Sequence, residues 1–341
     1  ATYHNTRYTV SGDVLSLAFP ENATERVLLQ VTEVEGARLC YRCRFTLNLT
    51  DNQKRLAVQA GDRLVVNVKI RAVHANLNEG GFNRQRWGFA HQRMLNGRLL
   101  SIEQIERHAS LRQKIVDALW PFLADKREKG LMIALLFGER VLVGNETTQL
   151  FKQTGVAHLM AISGLHISLS YLILRVLLMP LYWLLPLKWL QPVVITPVLL
   201  VLTGGYVWLS GMNAPALRAF YALLLWHGLR HIGWHWSRWQ LFWVVVALLL
   251  CFDPLMVLSD SAWLSVSAVA ALLFWSQWRG KSQGAMQRKL AWLQKGHDFL
   301  HLQAGLTLLL ISVQGLFFQG MSVFTIVANL LAIPLVTFVV L

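Results

Sequence analysis

The sequence predicts a small β barrel followed by a polytopic all-α transmembrane domain. Three observations predict it. Two stretches in the first hundred residues alternate strictly between apolar and polar side chains. Long apolar runs fill the chain from about residue 156 onward, with few charges between them. Only 15% of the 341 residues are charged and 55% are hydrophobic. Soluble domains carry about 25% charged residues, so a wholly soluble protein is excluded. The implied organisation is an extracytoplasmic β domain over 1–100, an amphipathic or interfacial helical linker over 101–155, and transmembrane helices over 156–341.

Over 39–49, Leu39, Tyr41, Cys43, Phe45, Leu47 and Leu49 make an apolar face, while Arg38, Arg42, Arg44, Thr46 and Asn48 make a basic face toward water. Over 64–72, Leu64, Val66, Val68, Ile70 and Ala72 point inward and Asn67, Lys69 and Arg71 outward. Period-2 alternation is the mark of a half-buried strand, and the turn at Ala60-Gly61-Asp62-Arg63 separates the two. Cys40 and Cys43 differ by an odd number, so an extended strand sends them to opposite faces. With Cys251 they make three cysteines, too few for a disulfide scaffold, and a lone C-x-x-C is an incomplete metal set.

In the linker, Ile102, Ile105, Leu111, Ile115, Leu119 and Phe122 recur mostly at threes and fours, the spacing of an amphipathic helix. The apolar stretch 130–137 is too short to span and reads as an interfacial or buried helix. Apolar runs follow at 156–186, 193–210, 214–229, 239–258, 262–278, 302–319 and 321–341. Crossing the roughly 30 Å hydrocarbon core takes about 20 residues of helix, and these runs are of that order. Loops with Lys188, Arg230, Arg238 and Arg279 alternate with one holding Asp253 and Asp260. The positive-inside rule places the basic loops in the cytoplasm and the β domain on the other side. The absent initiator Met and the end at Leu341 inside an apolar run read as a segment of a longer protein.

Ionisable side chains inside apolar spans are costly and therefore functional candidates. His158 and His166 lie on one helical stripe, with Ser163 and Gly164 between them. One reading makes them part of a polar pathway; the other is a packed helix entrance with satisfied histidines. Arg218 follows the breaks at Gly211 and Pro215. It either offers charge to an anionic solute or has a structural role, snorkelling or pairing with Asp260. No Walker loop, G-x-S-x-G, H-E-x-x-H or histidine cluster of a hydrolase is present, so the chain is read as non-enzymatic, with no cofactor and no metal site.

The strings Leu135-Leu136-Phe137-Gly138-Glu139-Arg140 and Phe151 through Thr154-Gly155-Val156-Ala157-His158-Leu159-Met160-Ala161-Ile162-Ser163-Gly164-Leu165-His166 resemble the core motif of the ComEC family of competence proteins. Asn78-Glu79-Gly80-Gly81-Phe82-Asn83 resembles its N-P-G-G-F-D element. Gly211 through Arg218-Ala219 resembles its P-x-x-R-A segment, and Asp253-Pro254-Leu255 through Ser265 its D-P-L…G-F-Q-L-S element. Phe324, Asn329 and Pro334 resemble its F-x-x-x-x-N-x-x-x-x-P pattern. Glu79 and Asn83 depart from it, as does Ser261-Ala262-Trp263 in place of G-F-Q.

The resemblance implies an OB-like β domain and an inner-membrane channel for single-stranded DNA. It implies DNA contacts at Arg38, Arg42, Arg44, Lys69 and Arg71. It also implies a pathway involving His158, Ser163, Gly164, His166, Arg218, Asp253, Asp260, Asn329 and Pro334. The expected partners are single-stranded DNA, the lipid bilayer, a DNA receptor protein and a cytoplasmic DNA translocase. The family's metallo-β-lactamase-like domain has no counterpart in this sequence. The alternatives are a transporter of another anionic or lipidic solute, with the β domain as a docking module, and a scaffold for activity located elsewhere.

Overall fold

The computed structural model describes residues 7–20, 26–49, 58–74, 83–93, 95–154, 162–180, 192–233, 236–278 and 305. They fall into two compact units, Ala1–Lys129 and Gly130–Leu341. In the first unit β1 (Arg7–Val14), β2 (Arg26–Val34), β3 (Ala37–Asn48), β4 (Arg63–Ala72) and β5 (Leu95–Glu106) form a closed barrel. The strand order is β1-β2-β3-β5-β4, with β4 returning to pair with β1. All pairs are antiparallel except β3 with β5. This arrangement is compatible with the OB-like barrel that the resemblance implies.

Alternation explains the core. Leu64, Val66, Val68 and Ile70 of β4, Phe45 and Leu47 of β3, and Val27, Leu29 and Val31 of β2 fill the interior. Ala72, expected inward, is exposed at the strand's end. Gly97 lies where β5 passes Phe45, and a β-carbon there would run into the aromatic ring. Residues 101–106 are strand, not the start of a helix. The register shifts between Val65 and Val66, where Ile102 opposes Val66 and Gln104 opposes Val65. This bulge lets Ile102 and Ile105, three residues apart, both pack on the core. A bulged strand thus reproduces helical spacing.

Helix α1 (Arg84–Ala90) lies in the β4–β5 connection, and α2 (Leu111–Leu123) follows β5. Ser110 caps α2 by accepting from the Gln113 amide at 3.1 Å. The buried Gln113 side chain donates to Ala18 O at 2.9 Å and accepts from Ala18 N at 3.1 Å, so it holds α2 to the β1–β2 connection. Asp62 is also buried, and its carboxylate accepts from the amides of Gln59 and His108. That bond ties the turn before β4 to the exit from β5. Gly61, at φ +102°, occupies the left-handed region in this turn, and a β-carbon would meet the carbonyl of His108.

In the second unit α3 (Lys129–Phe137) precedes α4 (Asn145–Gln153), α5 (Gly164–Leu177), α6 (Pro192–Leu209), α7 (Ala214–His231), α8 (Arg238–Phe252) and α9 (Asp260–Trp278). A 3-10 turn, Pro254–Leu258, joins the last two. Ile162, Ile167, Val207 and Ala216 make a core among α5, α6 and α7. Val245, Leu249, Met256 and Ala262 make a second around the 3-10 turn.

The expected polytopic transmembrane domain is corrected here. Among the described residues no helix is long and apolar enough to cross a membrane. The apolar runs 156–186 and 239–258 are longer than the helices they form. At about 1.5 Å per residue, the 14 residues of α5 and the 15 of α8 reach only about 21 and 22 Å. Asp253-Pro254 stops α8 inside the run 239–258. Arg218, His227 and Arg230 interrupt the apolar character of α7, and Ser261, Ser265, Ser267 and Ser276 that of α9. The runs 302–319 and 321–341 lie outside the described residues, Gly305 apart.

Replacing Gly61 with Ala adds left-handed strain and a clash at the carbonyl of His108, together roughly 2–4 kcal/mol. Urea denaturation should show that loss, and an unchanged midpoint would discard the argument for this turn.

Candidate functional site

The basic residues expected to meet DNA sit differently in the barrel. Arg44 in β3 and Arg71 in β4 are exposed, and Lys69 is partly exposed. Arg38 is exposed at the start of β3, where its Nε bonds the Glu33 carboxylate at 3.3 Å. Arg42 belongs to β3, but its side chain lies outside the described set, as does that of Cys40. Cys43 is partly buried, and burial pushes its thiol above the usual range. Among the described residues no group of three or more His, Cys, Asp or Glu could hold a metal ion.

In the helical unit the structure draws motif segments together from distant parts of the chain. Ser163 caps α5 in a reciprocal box with His166. The Ser163 amide donates to His166 Nδ1 at 3.1 Å, and Ser163 Oγ lies 2.9 Å from the same nitrogen. A backbone N–H can only donate, so Nδ1 is an unprotonated acceptor and the neutral ring carries its proton on Nε2. His166 is 1% exposed. Gly164 lets α5 approach α7: a β-carbon there would lie 3.3 Å from Ala219 Cβ. Gly138, at φ +72°, abuts the carbonyl of Ser210 and the side chain of Asn213, at the turn between α6 and α7. Tyr206 Oη adds a bond to Leu135 O at 3.0 Å.

Arg218 stands one turn into α7 and is only 6% exposed. Its Nη2 donates to Ser261 O at 3.0 Å. Its Nε and Nη1 are buried and find no hydrogen-bond acceptor among the described residues. Asp253 is the carboxylate whose charge reaches it. Asp260 heads α9, and the Arg218 guanidinium bonds the backbone carbonyl of the next residue, Ser261. His158, Asn329 and Pro334 lie outside the described residues.

Ser261 was not legible as a partner of Arg218, because a backbone carbonyl leaves no residue-type signal. For the same reason the departure Ser261-Ala262-Trp263 costs this contact nothing. Trp263 adds a clamp, its Nε1 donating to Val257 O at 2.8 Å across the 3-10 turn. Together these groups make a buried, cation-bearing joint in which two guanidinium nitrogens have no acceptor among the described residues, an arrangement suited to an anionic oxygen.

A buried charge with unfilled donors lowers stability, and an apolar residue of similar reach is often neutral or better. Arg218→Met should therefore melt at or above the wild-type temperature; collapse of the fold would show that Arg218 is a structural pin. In a Cys40→Ser background, Cys43 should alkylate more slowly than the exposed Cys251 at pH 8. Its raised pKa keeps the thiol protonated there, and the gap should narrow as pH rises.

Residues 135–341, more than half of the chain, match the family model described as "Competence protein". The chain is 40% identical over 295 residues to "Uncharacterized protein YcaI" of Escherichia coli strain K12, covering 83% of this chain and 37% of that one. It is 34% identical over 281 residues to "Recombination protein 2" of Haemophilus influenzae, covering 80% and 35%. It is 29% identical over 275 residues to "Competence protein ComA" of Neisseria gonorrhoeae, covering 72% and 37%. The chain thus spans little more than a third of the length of the curated relatives it matches. No solved structure matches it. The family that the ComEC-like motifs implied is the one found, and the chain belongs to the Competence protein family.

Proposed function

We propose that this chain serves DNA uptake in natural competence, handling incoming single-stranded DNA at the inner membrane as part of a longer protein. The observation that carries this reading is the family match over 135–341, which takes in the joint of Gly138, Ser163, Gly164, His166 and Arg218. The joint supports it chemically. Passage of a polyanion favours a cation with spare donors, and two buried guanidinium nitrogens of Arg218, Nε and Nη1, have no acceptor among the described residues beyond the Nη2 bond to Ser261. The barrel supports it as well, since OB-like barrels bind single strands through basic outer surfaces and stacking aromatics.

In this reading the barrel captures the strand and the helical unit forms part of its passage. Exposed Leu172, Val176, Val201, Trp243 and Phe252 in the helical unit favour contact with lipid. A DNA receptor protein and a cytoplasmic DNA translocase are the proposed protein partners. The chain's own part is proposed to be non-catalytic and independent of a cofactor.

The test is transformation of a competent strain lacking its own copy and complemented with the full-length gene carrying Arg218→Met. Transformation should fall at least tenfold while the protein accumulates normally. Full transformation would remove Arg218 from the passage.

A further inference from the structure

We infer that one register row around the outside of the barrel is a track for the phosphate backbone of single-stranded DNA. The inference rests on the DNA-handling reading above and names the surface that reading requires. Arg26 on β2 opposes Asn48 on β3, and Asn48 opposes Arg98 on β5. Arg98 opposes Lys69 on β4, and Lys69 opposes Arg7 on β1. One row therefore crosses all five strands and carries four cations and an amide.

The row faces outward because its neighbours along the strands face in. Val27, Leu47, Leu99 and Val68 are buried in the core, and the strand pleat sends adjacent residues to opposite faces. Arg7, Arg26, Asn48 and Arg98 are exposed, and Lys69 partly so.

Neighbouring strands lie about 4.8 Å apart, so Arg98, Lys69 and Arg7 stand side by side at a spacing that destabilises like charges. Among the described residues none of the four cations has an ion-pair partner. Glu103 is already engaged by Asn67 Nδ2 at 2.7 Å. Asp13 and Glu106 both oppose Arg63, six residues along β4 from Lys69 and about 20 Å away. Arg38, by contrast, is neutralised by Glu33 and stands outside the row. Phosphates would relieve the crowding that the barrel leaves uncompensated.

A single strand fits this track better than a duplex does. Duplex DNA has a persistence length of about 50 nm and can touch a tightly curved row only tangentially. A flexible single strand can follow it and splay its bases. An aromatic group stands at the same end. The β4–β5 connection leaves the barrel where Ala72 opposes Leu95, three positions from Lys69. Helix α1 in that connection packs back on the residue just after β4, where a β-carbon on Gly88 would lie 3.8 Å from Val73 Cγ1. It presents Trp87, 37% exposed, with His91 stacked at 4.5 Å and the Arg93 guanidinium 5.5 Å from the ring centroid. Exposed rings beside a cationic track are the combination that binds unpaired bases.

The test uses the full chain and fluorescein-labelled oligothymidylate, with a duplex of equal length, in anisotropy titrations across a salt series. Lys69→Gln/Arg98→Gln should weaken oligothymidylate binding at least tenfold. It should also flatten the slope of log K against log salt by about 1.4, two phosphate contacts at roughly 0.7 each. Arg38→Gln, outside the row and against Glu33, should change both less than the row pair does. Both row residues point to solvent, so the double variant should melt like wild type; Arg7→Gln/Arg26→Gln is the second pair if it does not. Wild-type binding with an unaltered slope in both pairs overturns the track and leaves the DNA reading standing. Absence of wild-type binding at low salt overturns both. Tighter binding of the duplex overturns the assignment to single strands.

Discussion

Strand β4 is the element on which the barrel depends. It pairs along its length with β1 on one side and with β5 on the other, and so closes a sheet that would otherwise expose two edges. Every second residue from Leu64 to Ile70 is buried to hold that position. The residues between them are thereby committed to the outside, whatever their chemistry. Lys69 has no choice of face, and closure sets it beside both Arg7 and Arg98. The outward cationic row is thus a by-product of a packing constraint. Moving the register by one residue would bury the cations and expose the core.

The helical unit rests on a different constraint, the close approach of helices at small residues. Gly164 meets Ala219, and Gly138 meets the turn at Ser210 and Asn213. These contacts bring chain segments from 138 to 219 into one joint, and the link from Arg218 to Ser261 O extends it toward α9. Van der Waals contact at such positions is unforgiving of size, since a larger side chain would push the helices apart. The motif glycines are therefore explained by packing. Arg218 is not, because a residue chosen for packing would not bring buried donors that no described residue fills.

Alternation made part of the barrel legible: the inward positions of Phe45 and Leu47 in β3 and of Leu64, Val66, Val68 and Ile70 in β4 could be read from period two alone. The bulge in β5 defeated the same reading. It places Ile102 and Ile105 on one face at a spacing of three, which periodicity cannot distinguish from a helix. The membrane spans were misjudged for a comparable reason. Counting apolar residues gives the length of a run, whereas Asp253-Pro254 in one run and charged or hydroxyl side chains in others decide the helix. Lys69 and Arg71 could be seen as an outward basic face. Arg7, Arg26 and Arg98 could not be joined to them, because β1, β2 and β5 meet β4 and β3 only through long-range register.

The two cationic features differ in what they can do for a polyanion. Exposed cations in a row act through counterion release, so their attraction is additive, salt-dependent and indifferent to base sequence. Such a surface captures a strand and lets it slide, because each phosphate can be exchanged for the next. A buried guanidinium acts through a few directed hydrogen bonds in a medium where charge is weakly screened. It discriminates a well-placed anionic oxygen from water, but it binds one group at a time. Capture calls for the first kind of site and controlled passage for the second. Arg38 shows why surface charge alone does not decide which kind a residue serves: its guanidinium is engaged by Glu33, whereas Lys69 and Arg98 have no ion-pair partner among the described residues.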